Sequence, residues 1–117
     1  MLTQNLLVLL LVVVVIGCSS KATPYELALG QDIGKSRQAQ IAQMIQLGSW
    51  YHETCTMKQS YATDIFFFGS KDYDKANIVI VDSYLTNGEM LVEKISTFEP
   101  YAWNTAYGDC IDRSRFE

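Results

Sequence analysis

The chain has 117 residues, nine Lys and Arg against thirteen Asp and Glu, and a net charge of −4. A mildly acidic chain with scattered basic residues is poorly suited to binding a phosphate backbone, which argues against nucleic-acid binding. The length allows one domain with a modest core. No phosphate-cradling glycine loop is present and no cofactor is predicted.

The first segment of the chain is typical of an exported protein. An uninterrupted apolar run, Leu6–Ile16, ends at Gly17-Cys18 and gives way to Ser19-Ser20-Lys21. This run has the length of the apolar region of a secretory signal, and it is shorter than the roughly 18 residues with which a helix spans a bilayer. An uncleaved signal anchor and a buried core helix are the alternative interpretations.

The residues Val15-Ile16-Gly17-Cys18 resemble the lipobox of bacterial lipoproteins, in which an aliphatic residue, a tolerant position and a small residue precede an acceptor cysteine. The resemblance implies that cleavage falls before Cys18 and that this residue is acylated, so that the lipid bilayer is one partner of the protein. Ser19 in the next position implies the periplasmic leaflet of the outer membrane. Residues 1–5 depart from the usual signal because they contain no Lys or Arg.

These features predict three parts of the chain: a lipoprotein signal peptide over 1–17, the lipidated cysteine and a tether over 18–34, and a single small α+β domain over 35–117. The remaining cysteines, Cys55 and Cys110, allow one intramolecular disulfide, as expected in an oxidising compartment. The bond would close a loop of about 55 residues and contribute roughly 4 kcal/mol. A free buried thiol and a metal ligand are the alternatives for these cysteines.

Along the chain, the residues from about Ile33 to Leu47 follow a helical period, with Ser36 as a cap and Gly48 as a stop. Ser49–Ser60 is ambiguous, and we expect a second helix there because Tyr51 and Cys55 lie four residues apart. Strands are predicted at Ile65–Phe68, Asn77–Leu85 and Met90–Phe98, and Asn87-Gly88 predicts a type I′ turn between the last two.

The predicted fold class is therefore α+β. An N-terminal amphipathic helix would lie on a three-stranded antiparallel meander, followed by a short C-terminal aromatic helix or loop. Because Ile65–Phe68 and Ile78–Val81 are apolar on both faces, the second face of the sheet needs a cover. Either the segment Tyr101–Tyr107 or another chain would supply it.

The chemistry-bearing residues give two catalytic or metal hypotheses and one binding hypothesis. Cys55 could act as a thiolate nucleophile with His52, the only histidine, as its base. Alternatively, His52, Cys55 and Cys110 could hold zinc with Asp109. A surface or half-buried histidine beside a structural disulfide is the preferred interpretation, so neither catalytic residues nor a metal site are predicted.

The C-terminal aromatic residues are the predicted partner-binding residues. Trp103 and Tyr107 share a helical face and Tyr101 precedes them, although core packing is the ordinary role of such residues. The predicted function is that of a non-enzymatic, membrane-anchored envelope lipoprotein that binds an envelope protein, assists an assembly or acts as an exclusion factor or inhibitor. A small envelope enzyme using Cys55 and His52, and a structural homodimer, are the alternatives.

Overall fold

The computed structural model describes residues 21–72, 75–97 and Cys110, and its centre is an antiparallel sheet of four strands. Two short helices come first, and four strands follow: α1 Pro24–Leu29, α2 Arg37–Gln46, β1 Tyr51–Met57, β2 Tyr61–Gly69, β3 Ala76–Thr86 and β4 Glu89–Thr97. The strands lie side by side in chain order, each antiparallel to the next. The described sheet is therefore an up-and-down meander whose outer strands are β1 and β4.

Both helices begin at capping residues that the sequence supplies. The Thr23 side chain accepts a hydrogen bond from the Glu26 amide, and Glu26 returns a bond to the Thr23 amide, which forms a capping box before α1. The Ser36 side chain accepts from the Ala39 amide before α2, as predicted from the sequence. Helix α1 lies within residues 18–34, the range predicted as the tether, and its Ala28 is fully buried.

The predicted fold class is wrong in its strand count and in its balance of helix and strand. The expected three-stranded meander is a four-stranded sheet, and the helices are only six and ten residues long. The additional strand, β1, lies in Ser49–Ser60, where a second helix was expected. Tyr51, Thr54 and Thr56 are aromatic or β-branched residues, which favour a pleated strand, whereas the spacing of Tyr51 and Cys55 fits either a helix or one face of a strand.

The three strands that were predicted are present, and so is the turn between the last two; β2 and β3 extend beyond the predicted bounds at both ends, and β4 begins one residue earlier than predicted, at Glu89. Thr86 pairs with Glu89, and the two residues between them, Asn87 and Gly88, have φ values of 52° and 82°. A type I′ turn requires positive φ at both central positions, and Asn-Gly is the pair that tolerates this best. The turn therefore sets the register of β3 and β4.

Alternation along the strands divides the core into two clusters, one on each face of the sheet. The helix face carries the cluster that α1 and α2 cover, and its buried residues are Ala28, Met44, Phe66, Phe68, Val79, Val81 and Val92. The second face carries a smaller buried cluster, Ile65, Phe67, Ala76, Ile78 and Ile80. Trp50, Tyr51, Cys55 and Cys110 lie against this second cluster.

The outer edge of β4 is partly covered by the chain that leads into α2. The Gly34 amide donates to the Val92 carbonyl at 2.7 Å, and the Val92 amide donates to the Lys35 carbonyl at 2.8 Å. A bridge between Ser36 and Leu91 continues this pairing. Such a cover protects an edge strand from pairing with other chains.

The expected C-terminal aromatic helix or loop lies outside the described residues, as does the predicted signal segment. Within the described ranges, no helix has the length and apolar character needed to cross a membrane.

Candidate functional site

Strand β1 places His52 and Cys55 on opposite faces of the sheet. The His52 ring stacks on Phe66 on the helix face, with centroids 4.6 Å apart and planes at 14°. Cys55 lies in a bulge between Thr54 and Thr56 and contacts the cluster on the second face. The structure therefore separates the two residues that the thiol-enzyme alternative requires.

The sulfur atoms of Cys55 and Cys110 lie at disulfide distance, 1.97 Å, across a sequence separation of 55 residues. The predicted disulfide pair is therefore present, and neither thiol is available as a zinc ligand in this state. No group of three or more His, Cys, Asp or Glu side chains within the described ranges is arranged to hold a metal ion. Asp109, the fourth ligand of the zinc hypothesis, lies outside those ranges.

The most connected polar group on the helix face is Asp64, in the middle of β2. Its Oδ2 accepts from Arg37 Nε at 2.8 Å, and its Oδ1 accepts from Arg37 Nη2 at 2.9 Å. Oδ1 also accepts from His52 Nε2 at 2.9 Å and from the Thr54 hydroxyl at 2.8 Å. The Thr54 hydroxyl in turn accepts from Arg37 Nη2 at 3.0 Å. We call these four residues the Asp64 centre.

The Asp64 centre holds a buried negative charge. The Asp64 side chain is fully buried, whereas the side chains of Arg37 and His52 keep 16% and 25% of their exposure. Burial raises the pKa of Asp64, but hydrogen bonds from His52, Arg37 and Thr54 and the charge of Arg37 outweigh it, so that this pKa lies below the ordinary value of an aspartate. Asp64 is therefore ionised at neutral pH.

The Asp64 centre connects three elements, because Arg37 begins α2, His52 and Thr54 lie on β1, and Asp64 lies on β2. The alcohol in the Asp64 centre is the Thr54 hydroxyl. It accepts a hydrogen bond from Arg37 and donates one to Asp64, so it is not poised to attack a substrate. The Asp64 centre therefore has a structural role, because its hydrogen bonds hold the start of α2 on the sheet.

Sequence reasoning missed three members of this centre, Arg37, Thr54 and Asp64. The sequence contained one indication that Asp64 is buried. Asp64 directly precedes the apolar run Ile65–Phe68, where a carboxylate would be buried. A charge in such a position needs a partner, and a basic residue at a helix start is a suitable one.

The second face carries a different set of polar groups at the end near the β3–β4 turn. Tyr61 and Tyr84 are direct cross-strand partners, and their ring centroids lie 4.9 Å apart at 47°. In the next pair, Thr63 lies opposite Asp82. On β4, Leu91 pairs with Tyr84 and Lys94 pairs with Asp82. We call these six residues the tyrosine surface.

Hydrogen bonds fix the carboxylate of the tyrosine surface. The hydroxyls of Tyr61 and Thr63 both donate to Asp82 Oδ1, each at 2.8 Å, and they also contact each other. Burial raises the pKa of Tyr61; its bond to Thr63 acts in the opposite direction and the negative Asp82 reinforces the rise. The Tyr61 phenol therefore stays protonated and remains a donor.

A shallow groove lies between the start of α2 and the β3–β4 turn, lined by Ser36, Arg37, Gln38, Gly88, Glu89 and Met90. Its two best polar groups are already engaged, because Ser36 caps α2 and Arg37 binds Asp64. Ser36 and Arg37 are therefore not free to bind a ligand in this groove.

The residues predicted from the sequence to carry lipidation and partner binding, Cys18, Tyr101, Trp103 and Tyr107, lie outside the described residues. Comparisons with protein families, curated proteins and solved structures found no match to the chain. The function is therefore argued from the residues themselves.

Proposed function

We propose that the protein is a lipid-anchored domain of the bacterial cell envelope that acts by binding an envelope partner and not by catalysis. The observation that carries this proposal is the pairing of the cysteines. The chain has three, and Cys55 and Cys110 are joined. The one left over is Cys18, the residue that stands at the acceptor position of the lipobox-like segment.

A disulfide and a lipobox-like segment are both features of exported proteins. Disulfides persist in oxidising compartments such as the periplasm, and lipoprotein acylation takes place on exported chains. Ser19 after the acceptor cysteine favours the outer membrane. The few residues between Cys18 and Pro24 reach at most about 20 Å when extended, so the domain would work close to the membrane surface.

Binding is favoured over catalysis because the described residues with the most reactive side chains are engaged in holding the fold. His52 contacts the buried Asp64, and Cys55 is bonded to Cys110 on the other face. Nucleophilic catalysis needs a free nucleophile within hydrogen-bond reach of a base. The tyrosine surface, in contrast, presents an aromatic ring and polar groups to solvent, as binding surfaces do.

The intact mass of the protein purified from bacterial membranes tests the proposal. We expect a chain that starts at Cys18 and carries acyl groups, with two cysteines that react with an alkylating reagent only after reduction. A Cys18→Ser variant is the control, and it should remain uncleaved and without acyl groups. An uncleaved, unacylated wild-type chain would overturn the anchor, and alkylation of Cys55 without reduction would favour the thiol enzyme.

A further inference from the structure

We propose that the tyrosine surface is a carbohydrate-binding site, whose ligand is a glycan chain that stacks on Tyr84, which Tyr61 supports, and hydrogen-bonds to Asp82. This inference rests on the proposed function, because a domain anchored in the cell envelope would meet its glycan partner there. It adds the chemical class of that partner. It concerns the face of the sheet opposite to the two helices.

Tyr84 supplies the exposed aromatic ring, and Tyr61 packs against it at an angle of 47°. They are direct cross-strand partners with ring centroids 4.9 Å apart, and Tyr84 is 41% exposed. Tyrosine offers a large contact area with few rotatable bonds, so little entropy is lost when it binds. A sugar ring has an apolar face of C–H groups that can lie on such rings while its hydroxyls point outward, which an aliphatic side chain would not match as well.

The polar groups beside Tyr84 suit hydroxyl ligands. Asp82 is 9% exposed, and Oδ1 accepts the hydroxyls of Tyr61 and Thr63, which hold the carboxylate in one orientation. Oδ2 has no partner within the described part of the chain. A carboxylate oxygen held in this way is a strong acceptor for a sugar hydroxyl, because charge-assisted hydrogen bonds are about twice as strong as neutral ones.

The tyrosine surface is open to solvent at Tyr84 and Lys94, whereas Thr63, Asp82 and the apolar part of the same face are buried. From Ile65 to Thr63 along β2, and from Ile80 to Asp82 along β3, the side chains on this face change from apolar to polar. The apolar part is fully buried and lies against Trp50, Tyr51 and the Cys55–Cys110 pair. Tyr84 and Lys94, in contrast, are exposed.

A glycan fits this surface better than an apolar protein segment does. A docked apolar helix would remove the Asp82 carboxylate and the Lys94 ammonium from water and offer neither a hydrogen-bonding group, which is unfavourable. The hydroxyls and ring oxygens of a sugar can satisfy both. The exposed apolar residue next to Tyr84, Leu85, points to the helix face and takes no part.

Titration of the purified full-length protein in detergent with oligosaccharides tests the inference. The probes are a β-1,4-linked N-acetylglucosamine tetramer and a maltose-series tetramer, and binding is followed by calorimetry and by amide chemical shifts. We expect saturable binding of at least one probe, with the shifts confined to β2, β3 and β4. Tyr84→Ala should weaken it about tenfold, because the exposed ring supplies the stacking contact.

Leu85→Ala is the matched control. Leu85 is exposed to 46%, close to the 41% of Tyr84, and it is the next residue on the same strand. Its substitution should leave sugar affinity unchanged. Lys94→Met, which leaves the buried Asp82 hydrogen bonds intact, should weaken binding severalfold and gives a second variant should Tyr84→Ala lower the stability of the sheet.

Equal loss of affinity in the Tyr84 and Leu85 variants would overturn the inference, and so would absence of binding to both probes by the folded wild type. Loss of a protein partner in the Tyr84→Ala variant, without sugar binding by the wild type, would assign the surface to a protein ligand. These outcomes are independent of the acyl mass at Cys18. Failure of the anchor and failure of the sugar site are therefore distinguishable.

Discussion

Arg37 and Asp64 form a two-point ion pair that joins the start of α2 to the middle of β2. Arg37 Nε and Nη2 each donate to a different oxygen of the carboxylate, at 2.8 and 2.9 Å, across 27 residues of sequence. This planar geometry is specific to arginine, and a lysine would supply only one point of contact. The pair fixes both the position and the orientation of the helix on the sheet.

Substitution of Asp64 should destabilise the protein strongly. Asp64→Asn keeps the shape of the side chain but leaves the half-buried Arg37 without a counter-charge, and breaking a buried pair in this way lowers the free energy of unfolding by about 3 kcal/mol. Chemical denaturation measures the effect. Asp32→Asn is the matched control, because Asp32 is exposed, and its effect should stay within about 0.5 kcal/mol. Equal effects of the two substitutions would contradict the structural role of Asp64.

Stability should depend on pH through the same carboxylate. Its hydrogen bonds and the charge of Arg37 hold the pKa of Asp64 in the folded protein below its ordinary value. The stabilisation from its ionised form is therefore complete above the unfolded-state pKa of about 3.9, and it is lost as the pH falls through the folded value. Unfolding free energies measured between about pH 6 and pH 2 should fall less steeply for Asp64→Asn than for the wild type. Parallel curves would show that Asp64 titrates normally.

The strands β2, β3 and β4 could be predicted because their signals are local. The apolar runs around Ile65–Phe68 and Asn77–Leu85 are short and bounded by polar turns, and Asn87-Gly88 indicates its own turn type. Strand β1 was missed because its spacing also fits a helix, and only pairing with β2 decides between the two. The strand propensity of Tyr51, Thr54 and Thr56 is a weak local signal, and the pairing itself depends on residues of β2.

The Asp64 centre and the tyrosine surface could not be predicted for a related reason. Asp64 meets Arg37, His52 and Thr54 across 27, 12 and 10 residues, and Tyr61 meets Asp82 across 21. Sequence spacing carries information on contacts within a helix or a strand, but the strand register determines these contacts. The disulfide was the exception, because two cysteines allow a single intramolecular pairing.

Removal of the disulfide should lower stability by about 4 kcal/mol. The bond closes a loop with a sequence separation of 55 residues, and the chain-entropy argument assigns a loop of this size roughly that contribution. We expect a lower midpoint of denaturation for Cys55→Ser/Cys110→Ser. The wild type in reductant should reach the same midpoint, whereas reductant should leave the double variant unchanged. A wild-type midpoint that is insensitive to reductant would show that the pair is not bonded in solution.

The β3–β4 turn offers a test of backbone strain without any change in packing. Gly88 has a φ of 82°, and a Cβ atom built there would meet nothing within 4 Å. Gly88→Ala should therefore lower the free energy of unfolding by about 1 kcal/mol through the positive φ alone. Gly30→Ala is the control, because Gly30 has a φ of −86° and its added Cβ would lie 3.4 Å from the Glu26 carbonyl oxygen, an ordinary contact. Thermal denaturation of both variants measures the difference, and a Gly88→Ala variant as stable as the Gly30→Ala variant would contradict the type I′ turn.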